Sequence, residues 1–227
     1  MEKMTATKKS SAKRKQIDDN RIIELYIDTV LSENISPKNV YVFCKNNTIE
    51  ESDFYSFFGS FESLRQAIWI KFFENAVYTI HAEEAYQTYT DKNKLLTLFY
   101  TLFEILTLNR SYVLFTLKEN KTNLKNLKDL TLFRKEFKEF VVSIIDENQD
   151  NNFEKLDKIK KPVFSEGAWI QFLLILKFWM DDSSKSFEKT DIVIEKSVNT
   201  AVDIFNTKPL ESLLDLGKFL WKENKMK

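Results

Sequence analysis

Residues 36–64 read SPKNVYVFCKNNTIEESDFYSFFGSFESL, and the punctuation of this stretch decides the fold. Ser36-Pro37 supplies an N-cap with proline at the first helical position, where its missing N–H costs nothing, and predicts a helix through about Asn46. Asn47 breaks it, since asparagine tolerates the left-handed conformation. Thr48-Ile49-Glu50-Glu51 has the spacing of a capping box and opens a short helix over about Glu50 to Phe58. Gly59-Ser60 closes that helix. A long one begins near Phe61, with Leu64, Ile68, Phe72, Ala76 and Ile80 stacked every four residues along one face.

Toward the N-terminus, Ile23, Tyr26, Ile27, Val30 and Leu31 recur at i, i+3, i+4, i+7 and i+8, predicting a first helix from about Asp18 to Glu33. Three short helices thus precede a long connector. Beyond His81 the same period predicts helices over about 91–108, 111–118, 124–147, 165–182, 186–206 and 209–223, with the clearest stripe at Phe133, Phe137, Phe140, Val141 and Ile144. The polar, charge-dense segment from Asp146 to Lys161 has no apolar period and is expected to be a loop. The most apolar run, Ala168 to Met180, is too short to span a membrane, carries Gln171 and Lys177, and is expected to be a core helix.

Composition agrees with an all-α chain. Three Gly and three Pro in 227 residues leave few helix breakers, and 43% hydrophobic residues suffice for a sizeable core. Thirty-four basic against thirty-four acidic residues give no global basic field, so contact with nucleic acid has to be local. One cysteine, Cys44, and one histidine, His81, exclude a disulfide framework within the chain and a Cys/His metal site, and they fit a reducing, cytoplasmic compartment. Residues 1–16 are basic and polar, unlike a secretory signal, and are expected to form a disordered tail. No glycine-rich phosphate loop or nucleophile–base spacing points to an enzyme, and no cofactor or metal is implied. Glu83-Glu84 and Asp181-Asp182 read as solvated helix ends rather than carboxylate dyads, because adjacent helical residues diverge by about 100°.

The order of short helix, proline-started helix, tight turn, short helix and long helix in residues 21–64 resembles the N-terminal module of TetR-family regulators. Tyr55, Phe58, Glu62 and Leu64 match the family's Tyr-x-x-Phe signature and the start of its fourth helix, Ile49 matches the apolar turn residue, and Phe43 the core residue of helix 2. The resemblance implies a tail over 1–16, a helix-turn-helix over 17–64, and a helical ligand-binding and dimerisation domain over 65–227. It implies a homodimer in which Tyr55 and Ser56 meet duplex DNA, with Lys38, Lys45 and a basic arm containing Lys13, Arg14 and Lys15 on phosphates. An apolar small molecule or lipid would be enclosed by Phe99, Phe103, Tyr112, Phe115, Phe137, Trp169 and Phe172, residues that serve equally well as plain core. The stripe Ile194, Val198, Ala201, Val202 and Phe205 marks 186–206 as the candidate dimer helix, joined by 165–182; a purely intramolecular core fits the same period.

Several departures fall where the family meets DNA. Thr48 stands at the usual turn glycine, Cys44 and Asn47 replace small alanines, Phe61 replaces a phosphate-binding lysine, and Glu50, Glu51 and Asp53 open the recognition helix. Residues 16–64 hold three basic and nine acidic side chains, a net charge of −6, where duplex binding calls for the opposite sign. Two functions follow: a TetR-like transcriptional regulator responding to an apolar small molecule with weakened or lost DNA binding, or a TetR-fold protein that binds a lipid or isoprenoid and assists a quinone- or lipid-related pathway.

Overall fold

The computed structural model describes residues 17–119, 128–146 and 154–205. Every regular element among them is helical: α1 (Asp19–Glu33), α2 (Val40–Asn47), α3 (Glu51–Phe57), α4 (Phe61–His81), α5 (Asp91–Leu108), α6 (Arg110–Glu119), α7 (Thr131–Asp146), α8 (Glu154–Asp181) and α9 (Glu188–Phe205), with short 3-10 turns at Glu84–Thr88, Lys128–Leu130 and Lys185–Phe187. The arm with Lys13, Arg14 and Lys15 and the helix expected over 209–223 lie outside the described residues. The chain divides into two compact units, Met1–Phe61 and Glu62–Lys227.

In the first unit, α1 is capped by Asp18, whose carboxylate accepts from the Arg21 N–H at 2.8 Å, and it ends at Asn34 in the left-handed region. Its buried stripe is Ile22, Ile23, Tyr26 and Val30; Leu31, expected inside, is exposed because the stripe sits one residue earlier than its sequence reading. Helix α2 starts later than Ser36-Pro37 suggests. Asn39 is its N-cap, accepting from the Val42 N–H at 2.9 Å, and Pro37 lies in the preceding loop. Thr48, not Asn47, takes the left-handed turn position, at φ 56°. Asn47 instead donates to the Phe43 carbonyl and to Thr29 Oγ1, tying α2 to α1. The capping box is also displaced by two residues, to Glu50 and Asp53. Tyr26, Phe43, Phe54 and Phe61 form one aromatic cluster, Phe61 lying 5.4–5.6 Å from the other three rings.

In the second unit Phe133 of α7 sits at the centre of the core. It stacks on Trp69 of α4 and meets Trp169 and Phe172 of α8 at 5.4 and 5.2 Å. Between α7 and α8, Glu166 accepts from Lys138 and Arg134, at 2.6 and 2.5 Å; the hydrogen bond from Lys138 leads in lowering its pKa. Helix α8 begins at Glu154, eleven residues before its expected start, so 154–161 are helix rather than loop. The sequence carries a reason: Glu154 with Lys158 and Asp157 with Lys161 stand at i, i+4, acid first, the order that supports an isolated helix. The apolar run is correspondingly longer. Lys161–Asp181 is long and apolar enough to cross a membrane by length and composition, but half of it is buried inside the domain, including Trp169, Phe172, Leu176 and Trp179.

The α8–α9 corner is locked from α6. Arg110 lies 4.3 Å from the Trp179 ring and 4.5 Å from Phe187 while donating to the carbonyls of Trp179 and Met180, the last turn of α8. Ser186 and Phe187 both take positive φ, so the helix expected to begin at Ser186 begins two residues later. Left-handed residues cost on the order of 1–2 kcal/mol each; the Phe187 contacts with Arg110 and Trp179 offset part of that. Asp182 is no solvated helix end: it is buried and accepts from the N–H and hydroxyl groups of Ser184 and Thr190. Burial alone would push its pKa up, but those bonds to the ionised form prevail and hold it at about 2.

Candidate functional site

Helix α3 spans seven residues, long enough for two turns of recognition surface. Phe54 is its buried anchor, and Tyr55, expected to meet DNA, is 53% exposed. Glu51, Ser52 and Ser56 are exposed alongside it. The Ser56 hydroxyl donates to the Ser52 carbonyl at 2.7 Å, leaving its oxygen as an acceptor. Lys38 and Lys45 are also exposed, and the Lys45 ammonium lies 6.0 Å from the Tyr41 ring. Asp53 is half-buried and accepts from the Glu50 N–H at 3.4 Å, which satisfies a helix-end donor. Glu51 remains outward.

The acidic field is felt inside the module. Burial raises the Cys44 thiol to about 11, with Glu51, Asp53 and Glu50 adding to the shift, so the thiol is a protonated, inert core group. Phe61 lies in the aromatic cluster described above.

The residues expected to line a ligand cavity are buried and in ring contact. Phe99 meets Phe137 at 6.0 Å, Phe103 meets Phe172 at 5.8 Å, and Trp169 stacks on Phe172 at 5.2 Å. Tyr112 is buried against Phe72, and Phe115 is half-buried.

An open groove lies on the outer side of α8 and α9, with a volume of about 710 Å³. Ile170, Leu174 and Phe178 follow one another at four-residue steps along α8, Leu174 being 65% exposed, and Ala201 and Ile204 face them from α9. Of the residues expected on a dimer face, Ile194 is fully buried within the domain, and Val198, also buried, lines the groove. Ala201 lines the groove and Val202 is half-buried, whereas the Phe205 side chain lies outside the described residues. Periodicity does not single out the outer α8 residues, because this helix is apolar on two faces, one inward and one outward.

Residues 94–220 match the family model of the tetracyclin repressor-like C-terminal domain. The match covers more than half of the chain, which therefore belongs to the TetR-like family. No curated protein matches the chain.

Proposed function

We propose that this protein is a homodimeric, cytoplasmic TetR-like transcriptional regulator whose C-terminal domain responds to an apolar small molecule and whose hold on DNA is weakened at the recognition helix. The observation that carries the reading is the exposed apolar face of α8 and α9 in a chain of this family. Isolated apolar side chains are ordinary on a surface, but a continuous apolar groove of this size marks an interface. Pairing two copies through it would form a symmetric four-helix bundle and set the distance between two helix-turn-helix modules. Tyr55 and Ser56 would read base edges; Lys38, Lys45 and the basic arm with Lys13, Arg14 and Lys15 would neutralise phosphates.

A second reading is favoured by the outward Glu51 and the net charge of −6 over residues 16–64: a TetR-fold protein that no longer binds DNA and carries a lipid or isoprenoid for a quinone- or lipid-related pathway. One experiment separates the two. Purified protein is titrated with genomic DNA fragments across a salt series, and co-purifying small molecules are extracted and identified. Sequence-selective binding whose affinity falls with salt supports the regulator; absence of any complex at low salt together with a co-purifying lipid supports the carrier. On the regulator reading Glu51→Lys, which exchanges a repelled charge for an attracted one, strengthens duplex binding about tenfold at low salt.

A further inference from the structure

We infer that the chain's own segment 209–223 folds back as a helix across the α8–α9 groove of the same copy and caps it. In the sequence, Leu210, Leu213, Leu214, Gly217, Leu220 and Trp221 recur at i, i+3, i+4, i+7, i+10 and i+11, a single stripe. Glu211, Asp215, Lys218 and Lys222 fall on the opposite side, and Pro209 suits a first helical turn, where its missing N–H costs nothing. A helix this short draws its stability from burying such a stripe. The family match runs past the end of α9 at Phe205 to residue 220, so most of the segment is part of the family's domain.

Chain connection and groove dimensions select this occupant. Only residues 206–208 separate the segment from α9, the length of connection that joins antiparallel helices, and they reach at most about 11 Å, which favours the adjoining groove over that of a second copy. One flank of α9 lies against α5, where Tyr100 donates to the Asp191 carbonyl. The other opens on the groove, with Ile204 in the last turn of α9 and Val193 nearer its start among the lining residues. A helix over 209–223 is about 22 Å long, and the α8 wall from Phe164 to Phe178 spans about 21 Å. Lys196 is the one charged side chain among the described lining residues, so the groove suits an apolar stripe. The consequence, which rests on reading this face as the pairing surface, is regulatory: a capped copy cannot pair, and release of the segment sets how much dimer forms.

Thiol labelling of the full-length protein reads the cap directly. Cys44 is buried and held protonated, so a maleimide reports on a cysteine placed in the groove by Leu174→Cys. At a concentration where light scattering gives the monomer mass, labelling of Leu174→Cys should become about tenfold faster when Leu213→Glu and Leu220→Glu are added. Gly217→Pro, which breaks the helix without adding charge, should do the same. Leu108→Cys, at the 80% exposed end of α5, should label at one rate in every background. A Leu174→Cys rate indifferent to either change in the segment overturns the inference. So does shielding that appears only as concentration rises into the dimer range, which would assign the groove to a second copy alone. Without the added cysteine, the opened variants should also pair about tenfold more tightly than the parent; a monomer mass at every concentration, with the labelling result intact, would remove the pairing role of the face and leave the cap standing.

Discussion

The first 61 residues and the remainder of the chain both build their interiors from aromatic rings, yet they treat their surfaces in opposite ways. In the N-terminal unit the rings of Tyr26, Phe43, Phe54 and Phe61 are gathered around one small core, and residues 17–61 carry three basic against eight acidic side chains. In the C-terminal unit the rings converge on Phe133 in a larger core, and apolar side chains remain to form an outer face on α8 and α9. A small unit has little apolar area to spare, and the half-buried Phe61 adds a ring to its core. The larger unit satisfies its core and leaves Ile170, Leu174 and Phe178 on an outer face.

The sharpest way to break this comparison is to charge the outer face. Leu174→Glu replaces a residue that a two-fold interface would bury twice, and burying a leucine is worth about 1.5–3 kcal/mol. The dimer dissociation constant should rise about a hundredfold or more, read by light scattering on a dilution series, with helicity retained. An unaltered mass would assign the face to something other than self-association.

Next in size is the lock at the end of α8. Asp182→Ala leaves the Ser184 and Thr190 donors without their acceptor and should lower stability by about 3 kcal/mol. Its pH dependence has a definite sign. The folded pKa of about 2 lies below the ordinary 3.8, so the contribution is fully present above pH 4 and is lost as pH falls through 2. Urea melts of the parent and variant should therefore converge between pH 4 and 2. A constant gap across that window would place the stabilisation elsewhere.

Much of the fold was legible because it is periodic. Asp91–Leu108 and Phe61–His81 begin where their caps and stripes say they should, and the α4 stripe from Leu64 to Ile80 is buried throughout. What the sequence concealed is choice among equivalent groups. Asn39 and Ser36 can both cap a helix, and only packing selects Asn39. Asp182 looks like any acid at a helix end until Thr190, eight residues on, folds back to it. Ile194 and Leu174 are equally apolar, and periodicity ranks neither as inward. Assembly residues are the least legible, because an interface and a core are made from the same side chains.

Within the N-terminal unit, Phe61→Lys restores the cation that the family favours and removes a ring in contact with three others. The half-buried position lets the lysine stem retain some packing, so the cost should be about 2 kcal/mol. Hydrogen exchange in the full-length protein should localise the loss to amides of α1–α3. Equal protection in parent and variant would mean that Phe61 is not core, and its departure from lysine would need another explanation.

The smallest effect concerns the turn itself. Thr48 holds φ 56° and ψ 42° with its N–H directed at the Cys44 and Lys45 carbonyls, a backbone conformation suited to glycine. A Cβ in that region costs roughly 1–2 kcal/mol, and a branched one has no cheap rotamer there. Thr48→Gly removes that strain but adds about 0.5–1 kcal/mol of backbone entropy to the unfolded chain. The balance is a net stabilisation of about 0.5–1 kcal/mol, measured by chemical denaturation. Because the turn positions α3 against α2, the same variant also tests whether the strain matters to recognition: a more stable module with unchanged DNA affinity would make Thr48 a tolerated defect, whereas a changed affinity would tie the strained turn to the placement of Tyr55 and Ser56.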